Sequence, residues 1–237
     1  LEGLGCTVRY VTDASELGNP DLIILPGTKS TIADLIHLQQ QGLAQAIIHR
    51  AKSGTPVIGI CGGYQMLGKS IDDPHKVESK QGSIAGFGLI DSTTIFNRDK
   101  TTTQVKARVI ADDGLLKGLN GIEVTGYEIH MGQTENQNCS PAFRIFETTQ
   151  GESVYFDGAI SSNGLIFGTY IHGLFHNISF THHLLNRLRQ LRGLPTITPT
   201  QINKQEVYDK LAHIIRHNLD MSHLYKIEPA KSNIRSQ

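Results

Sequence analysis

A cysteine flanked by glycines follows a short apolar segment, and this arrangement is suited to nucleophilic chemistry. Residues 56–60 are rich in β-branched side chains and lead into Cys61-Gly62-Gly63, after which helix-forming residues follow. A nucleophile on a tight strand-to-helix turn needs glycine beside it, because side chains there would collide with the turn. The helix N-terminus is expected to lower the thiol pKa, and the Gly62 N–H to face a developing oxyanion. The alternative interpretation is a buried cysteine at a strand end.

A cysteine nucleophile needs a general base, and one of the eleven histidines is well placed for that role. His172 follows the apolar segment 165–171 and precedes a glycine. Functional groups gather at the carboxyl ends of parallel strands, so we expect Cys61 and His172 to meet. His130, which ends the segment 126–130 and is followed closely by a glycine, is the second candidate.

Three further features are not predicted to form a separate site. Residues 27–30 (Gly-Thr-Lys-Ser) are similar to the end of a nucleotide-binding P-loop but lack its Gly-Lys pair and upstream glycine, so ATP binding is not predicted there. Because this turn follows a predicted strand, Gly27 and Thr28 are instead expected to supply a second oxyanion donor. His182 and His183 lie within a predicted helix without metal-binding spacing, and we interpret them as structural.

The composition excludes several classes of function. Lys+Arg and Asp+Glu both number 22, so the formal net charge is zero and no nucleic acid or anionic membrane partner is expected. The three cysteines, Cys6, Cys61 and Cys139, are widely spaced and form no CxxC pair, which argues against a disulfide framework or metal site and for a cytoplasmic protein. No apolar stretch reaches the roughly 18 residues of a membrane helix.

The order of the predicted elements indicates an α/β protein. Strands and helices alternate over the first third of the chain, which predicts a parallel sheet covered by helices on both faces. Short β-rich pieces then follow, typical of an antiparallel extension. The predicted strands are 7–11, 21–25, 57–60, 85–90, 103–110, 126–130, 153–156 and 165–171, and the predicted helices are 31–41, 43–52, 180–191 and 204–219.

Two parts are predicted along the chain. Residues 1–195 are expected to form the main domain, and residues 196–237 a C-terminal helical extension that ends in a loose tail of about a dozen residues. Residues 196–199 are interpreted as the connector. The chain begins at Leu1 without an initiator methionine, so we expect it to derive from within a longer protein.

Several motifs resemble those of a known family. Gly59-Ile-Cys61-Gly-Gly-Tyr-Gln65 resembles the elbow of class I glutamine amidotransferases, in which the cysteine attacks the glutamine carboxamide and a glutamine at the position of Gln65 helps to hold the substrate. Residues 25–28 resemble the second oxyanion loop, and residues 168–175 take the place of the histidine motif. The resemblance covers about residues 7–195. It implies a three-layer flavodoxin-like fold: a mostly parallel sheet flanked by helices, with an antiparallel β extension.

One departure from the family pattern is informative. Class I enzymes usually carry His-Pro-Glu, whereas Leu174 stands where the glutamate is expected. In lacking this glutamate, the motif resembles the branch of cobyric acid synthase and cobyrinate diamide synthase, in which a Cys–His pair stands without an orienting carboxylate. Glu128 is a candidate for orienting His172, although it is equally typical of a strand carboxylate with a structural partner. His130 is a second possible supporting residue.

The resemblance also implies partners outside this chain. Such synthases carry an N-terminal synthetase domain, on which ATP and Mg²⁺ are expected, whereas no cofactor or metal is expected on residues 1–237. The implied partners are L-glutamine, the synthetase domain of the same polypeptide and, through that domain, a corrin acceptor. The implied reaction of the whole protein is ATP-dependent amidation of the b, d, e and g carboxylates of adenosyl-cobyrinic acid a,c-diamide.

Three alternatives remain open from the sequence. A thiol hydrolase of the α/β-hydrolase type would use an acid between Cys61 and His172, for which Asp157 is available, but it gives Gln65 no role. A related amidotransferase acting on cobyrinate or a cell-wall precursor would share the Cys–His pair. A docking module without activity is the third, and the joint presence of Cys61, His172 and Gln65 argues against it.

Overall fold

The computed structural model describes residues 1–198, 204–221 and 223. The chain divides into two compact units, Leu1–Thr198 and Pro199–Gln237. Short 3₁₀ helices cover Glu2–Leu4, Ala14–Glu16, Gly114–Leu116 and Leu174–His176. The longer elements, in chain order, are β1 (Ile23–Leu25), α1 (Thr31–Gln40), α2 (Leu43–Lys52), β2 (Val57–Ile60), α3 (Gly62–Leu67), β3 (Ser70–Asp72), β4 (Ser83–Ala85), β5 (Ser92–Val109), β6 (Glu123–Asn136), β7 (Phe143–Thr148), β8 (Gly151–Asp157), β9 (Ala159–Ile160), β10 (Ile166–Thr169), α4 (Ile178–Leu191) and α5 (Lys204–Asn218).

The four-stranded sheet has the order β1-β2-β10-β9, in which β1, β2 and β10 are parallel and β9 is antiparallel. Side chains of adjacent strand residues point to opposite faces. Val57 packs into a cluster with Leu35 of α1 and Ile47 of α2, whereas Ile58 packs into a second cluster with Phe180 of α4. The sheet is thus covered on both faces, and the predicted three-layer fold is confirmed.

The second sheet forms the predicted antiparallel extension. Its strands have the order β4-β3-β5-β7-β8, and β6 also pairs with β5. Only the β3–β5 pairing is parallel among the described strands of this sheet. β5 and β6 are 18 and 14 residues long, well beyond the predicted segments 103–110 and 126–130. β6 matters for the site, because its Tyr127 pairs with His172 in the segment that follows β10.

Two predicted strands are wrong. Residues 7–11 form no regular structure, because they pair with no other described strand, and Tyr10 is 95% exposed. In place of 85–90, the strand is Ser83–Ala85. Beyond this strand, the Phe87 N–H donates to the Met66 carbonyl of α3, so this part of the backbone is hydrogen-bonded to a helix and not to a neighbouring strand. Strands β3, β7 and β9 lie outside every predicted strand.

The predicted helices match the structure closely. α1 and α2 begin and end within one residue of the predicted 31–41 and 43–52, whereas α4 begins two residues before the predicted 180–191. α5 in the C-terminal unit ends at Asn218, one residue before the predicted end. The loose tail, residues 226–237, and Pro199 of the connector lie outside the described residues. No helix in the described part of the chain has the length and apolar character to cross a bilayer.

Candidate active site

Cys61 occupies the predicted strand-to-helix turn between β2 and α3. Its backbone has φ 51° and ψ −109°, a conformation that non-glycine residues rarely adopt and that often marks functional sites. Gly63 lies against β1, since a Cβ atom there would be 2.1 Å from the Leu25 carbonyl oxygen. Only glycine permits this close approach, which seats the first turn of α3 directly on the sheet.

Gly27 lies between Cys61 and His172. A Cβ atom at Gly27 would be 2.8 Å from His172 Cε1 and 3.5 Å from Cys61 Cβ. The turn after β1, the turn after β2 and the segment after β10 therefore converge at the carboxyl edge of the parallel strands. The structure brings these three residues together, although they are far apart in the sequence.

The turn after β1 adjoins the turn that carries Cys61. The Gly62 N–H is oriented towards the sulfur and favours its ionised form. The Thr28 nitrogen would lie 3.3 Å from a Cβ atom placed on Gly62, so the turn after β1 adjoins the elbow. The predicted oxyanion site with one donor from each loop stays a prediction, which this proximity of the two turns supports.

The electrostatic surroundings of the thiol differ from the sequence prediction. Cys61 is only 7% exposed, and burial raises its pKa to about 11, with the nearby charges of Glu78 and Asp157 acting in the same direction. The Gly62 N–H opposes this shift without reversing it. The expectation of a lowered thiol pKa is therefore wrong for this structure, because burial outweighs the short helix α3. The sulfur lies 3.4 Å from the Ile129 carbonyl oxygen, which accepts the thiol proton.

His172 is held by β6. Its N–H donates to the Tyr127 carbonyl at 2.8 Å, and the Tyr127 N–H donates back to the His172 carbonyl at 3.2 Å. The two rings stack with centroids 5.0 Å apart and an angle of 6° between their planes. Burial lowers the pKa of His172, so burial favours the neutral, basic imidazole. Its Nε2 atom has no hydrogen-bond partner among the described residues.

Gln65 belongs to a buried hydrogen-bond network. Its side chain is 2% exposed; the Oε1 atom accepts from the Thr31 hydroxyl at 3.1 Å, and Nε2 donates to the Tyr170 hydroxyl at 3.2 Å. Tyr170 Oη in turn lies 2.6 Å from Thr134 Oγ1. The Gln65 carboxamide also lies against Gly132 of β6. This network fixes the orientation of the carboxamide.

The supporting residues proposed from the sequence have other partners. The buried Glu128 carboxylate accepts from the Tyr155 hydroxyl at 2.7 Å and makes no hydrogen bond to His172 among the described residues, so it does not orient that histidine here. Burial raises the pKa of Glu128. His130 Nδ1 lies 2.8 Å from the Gly132 carbonyl oxygen, and its ring stacks on Tyr170 with centroids 3.8 Å apart. Burial lowers the pKa of His130.

The remaining sequence candidates also have defined places. Asp157, the acid that a thiol hydrolase would need, accepts hydrogen bonds from Thr169 and Tyr170 rather than from His172. His182 is buried within α4, and His183 Nδ1 lies 2.8 Å from the Ser179 carbonyl oxygen, as a structural role predicts. The described residues contain no group of three or more His, Cys, Asp or Glu side chains placed to hold a metal ion.

Sequence reasoning missed an acidic loop near the cysteine. The Glu78 carboxylate accepts the Thr31 N–H at the start of α1 and lies close enough to Cys61 to influence its pKa. Asp73, which is fully buried, holds this loop by accepting the N–H groups of residues 77–79 at 2.7–2.9 Å. No local pattern marks Glu78, because its role depends on a fold-back onto a distant helix.

Known proteins are similar to this chain in sequence and in fold. Residues 3–180 match the family described as the CobB/CobQ-like glutamine amidotransferase domain. The chain belongs to this family. It is 49% identical over 223 residues to cobyric acid synthase of Dehalococcoides mccartyi, covering 94% of this chain and 44% of that protein. It is 46% identical over 230 residues to cobyric acid synthase of Alkaliphilus metalliredigens, covering 94% and 46%. The chain therefore spans less than half the length of these relatives.

Solved structures show the same fold in more distant proteins. A crystal structure titled as a glutamine amidotransferase superposes with a TM-score of 0.55 at 14% identity, covering 81% of this chain and 90% of that one. The PurLQS structure from Thermotoga maritima gives a TM-score of 0.55 at 19% identity, covering 76% and 85%. This chain is therefore a glutamine amidotransferase domain with the class I fold.

Proposed function

We propose that this amidotransferase domain hydrolyses glutamine through a Cys61–His172 pair and supplies the ammonia to a synthetase. The observation that carries the proposal is the convergence of Cys61, His172 and Gly27 at one sheet edge. Net hydrolysis converts glutamine and water into glutamate and ammonia. In this proposal Cys61 is the nucleophile and His172 is the general base and acid. The Gly62 N–H and the Gly27–Thr28 turn stabilise the oxyanion.

The two pKa shifts support a particular order of proton transfer. The Cys61 thiol has a raised pKa and His172 a lowered one, so burial of each favours the neutral thiol and the neutral imidazole at rest. In the proposed first step, His172 takes the thiol proton while the sulfur attacks the glutamine δ-carbon. This general-base activation differs from attack by a preformed thiolate.

The later steps return the site to its starting state. The carbonyl oxygen becomes an oxyanion that the Gly62 N–H and the Gly27–Thr28 turn stabilise. The C–N bond then breaks, His172 gives its proton to the leaving ammonia, and a thioester remains on Cys61. His172 next takes a proton from water as that water attacks the thioester, and glutamate leaves as the thiol is restored.

The acceptor is proposed from the relatives. Both relatives named above are cobyric acid synthases of about twice this length. We infer that the ammonia serves ATP-dependent amidation of the b, d, e and g carboxylates of adenosyl-cobyrinic acid a,c-diamide. ATP and Mg²⁺ would bind the part of such a synthase that this chain does not cover. Cobyrinate amidation remains the second candidate, since the family description includes both branches.

Labelling with a glutamine analogue tests the proposed nucleophile. Diazo-oxo-norleucine should alkylate Cys61, and excess glutamine should protect it, because both ligands occupy the same site. Peptide mass spectrometry separates this adduct from adducts at Cys6 and Cys139, which are half-buried and serve as internal controls. Labelling confined to Cys6 or Cys139, with Cys61 intact, would overturn the assignment.

A further inference from the structure

A buried carboxylate lies behind the reactive pair without taking part in the proposed proton transfers. Asp157, the last residue of β8, is 4% exposed. It accepts hydrogen bonds from the Thr169 hydroxyl and from the Tyr170 N–H, the latter at 3.0 Å. A buried carboxylate is costly unless it is hydrogen-bonded, so these contacts are expected to be maintained in the folded protein.

Thr169 connects this carboxylate to the backbones of both reactive residues. Its hydroxyl donates to Asp157 and accepts the Ile171 N–H at 3.0 Å, one residue before His172. Its carbonyl oxygen accepts the Cys61 N–H at 2.8 Å. A single threonine thus joins the nucleophile turn, the segment carrying the base and the carboxylate.

The turn at Cys61 needs such an external restraint. Its φ of 51° is unfavourable for a side chain with a Cβ atom, and strained backbone persists only where the surroundings determine it. The Cys61 N–H bond to Thr169 is a restraint of this kind. Proton transfer also depends on a narrow range of separations, since a displacement of about 1 Å can cost roughly a hundredfold in rate.

We propose that Asp157 is a positioning residue that, acting through Thr169, holds Cys61 and His172 at the separation required for proton transfer. Its carboxylate fixes the Thr169 side chain, which fixes the Ile171 N–H and the course of the backbone into His172. The carbonyl oxygen of Thr169 accepts the Cys61 N–H. This inference rests on the proposed Cys61–His172 pair, so its test must distinguish a failure of the positioning role from a failure of the pair itself.

The test measures the rate at which iodoacetamide alkylates Cys61 at neutral pH in the full 237-residue chain. Iodoacetamide needs no glutamine site and no turnover, so the readout does not depend on glutaminase activity. Thr169→Val removes the hydroxyl and keeps the carbonyl, and Thr169→Ser restores the hydroxyl. Thr181→Val is the matched control, because Thr181 is also buried and, among the described residues, its hydroxyl bonds only the Phe175 carbonyl.

Positioning and mere structural support predict opposite signs. We expect Thr169→Val to slow alkylation of Cys61 about tenfold or more, since the segment that carries His172, the proposed acceptor of the thiol proton, is no longer held in place. Thr169→Ser should recover most of the wild-type rate, and Thr181→Val should retain it. A purely structural role would instead loosen the fold and speed alkylation of Cys61, Cys6 and Cys139 together. Faster or unchanged alkylation of Cys61 in Thr169→Val overturns the inference.

Two further variants keep the result interpretable. His172→Ala should slow alkylation at least as much as Thr169→Val; if it has no effect, the proposed Cys–His pair itself fails. If His172→Ala slows the reaction but Thr169→Val does not, the pair stands and only the positioning role is lost. Should Thr169→Val not fold, Asp157→Leu decides, because it removes both oxygens that accept from Thr169 and Tyr170. Slowed alkylation of Cys61 supports the inference, and a wild-type rate overturns it.

Discussion

The Gln65 carboxamide nitrogen donates to the Tyr170 hydroxyl at 3.2 Å, which joins the first turn after the nucleophile to the segment between β10 and His172. Thr31 holds the other end of the same carboxamide. Gln65 therefore cannot rotate freely, and the orientation of its carboxamide depends on residues from two other segments. This relationship gives a direct test of the role proposed for Gln65 in substrate binding.

Removing the Tyr170 hydroxyl should weaken glutamine binding more than it slows chemistry. Tyr170→Phe leaves the Gln65 nitrogen without its partner, and one neutral hydrogen bond contributes about 1 kcal/mol, so we expect about a fivefold loss of affinity. The measurement is the glutamine concentration that halves the rate of Cys61 labelling by diazo-oxo-norleucine. Tyr155→Phe is the control, because its hydroxyl bonds Glu128 instead. Equal losses in both variants would contradict a specific role for Tyr170.

His172 and Glu128 should differ sharply in their importance. His172→Ala should abolish glutaminase activity, because it removes the proposed base. Glu128→Gln should keep a substantial fraction, since its carboxylate bonds Tyr155 and makes no hydrogen bond to His172 among the described residues. Activity is compared by glutamate release at saturating glutamine, with folding checked by circular dichroism. If Glu128→Gln is as inactive as His172→Ala, a triad containing Glu128 replaces the Cys–His pair.

Asp157 should make the folded protein less stable as the pH rises. Burial raises its pKa to about 7, with the charge of Glu128 adding to this shift, whereas its ordinary value is 3.8. The folded state therefore binds a proton more tightly, and the resulting stabilisation is complete below the ordinary value and lost as the pH rises through 7. The slope should approach about 1.4 kcal/mol per pH unit between those limits.

Urea unfolding at several pH values checks this dependence. The wild-type free energy of unfolding should fall more steeply with pH than that of Asp157→Asn, and the difference measures the contribution of Asp157 together with its coupling to Glu128. Burial and the charge of Asp157 raise the pKa of Tyr64, Tyr155 and Tyr170, so all three titrate above their ordinary range and stay neutral in this window. Glu128 is coupled to Asp157, so the parallel variant Glu128→Gln measures its share of the pH dependence. Identical slopes in the two proteins would show that Asp157 titrates normally.

Glutamine hydrolysis by this chain alone should be slow. Cys61 is 7% exposed and burial raises its pKa to about 11, so the thiol is neutral and poorly accessible to glutamine in this structure. Catalytic contacts often tighten only when a partner or substrate is bound. We expect kcat/KM for glutamine to be at least about tenfold higher in a full-length synthase assayed with corrin and ATP. Equal kcat/KM in the two proteins would show that no activation between domains exists.

The sequence alone determined the elements that carry the site. The β-branched segment 57–60, the glycines after Cys61 and the apolar segment before His172 are local patterns, and local patterns specify period and turn type. The helices α1 and α2 were predicted to within one residue for the same reason. Because the carboxyl ends of parallel strands share one edge, the meeting of Cys61 and His172 also followed from order alone.

Only the tertiary structure decided pairing, burial and charge. Residues 7–11 have a strand-like pattern, but a strand exists only where another strand accepts its hydrogen bonds, and none does among the described residues. The raised pKa of Cys61 arises from burial and from carboxylates on distant segments, including Glu78 and Asp157. The Tyr155 partner of Glu128 belongs to another strand. Each of these depends on which distant segments become neighbours, and no local pattern encodes that.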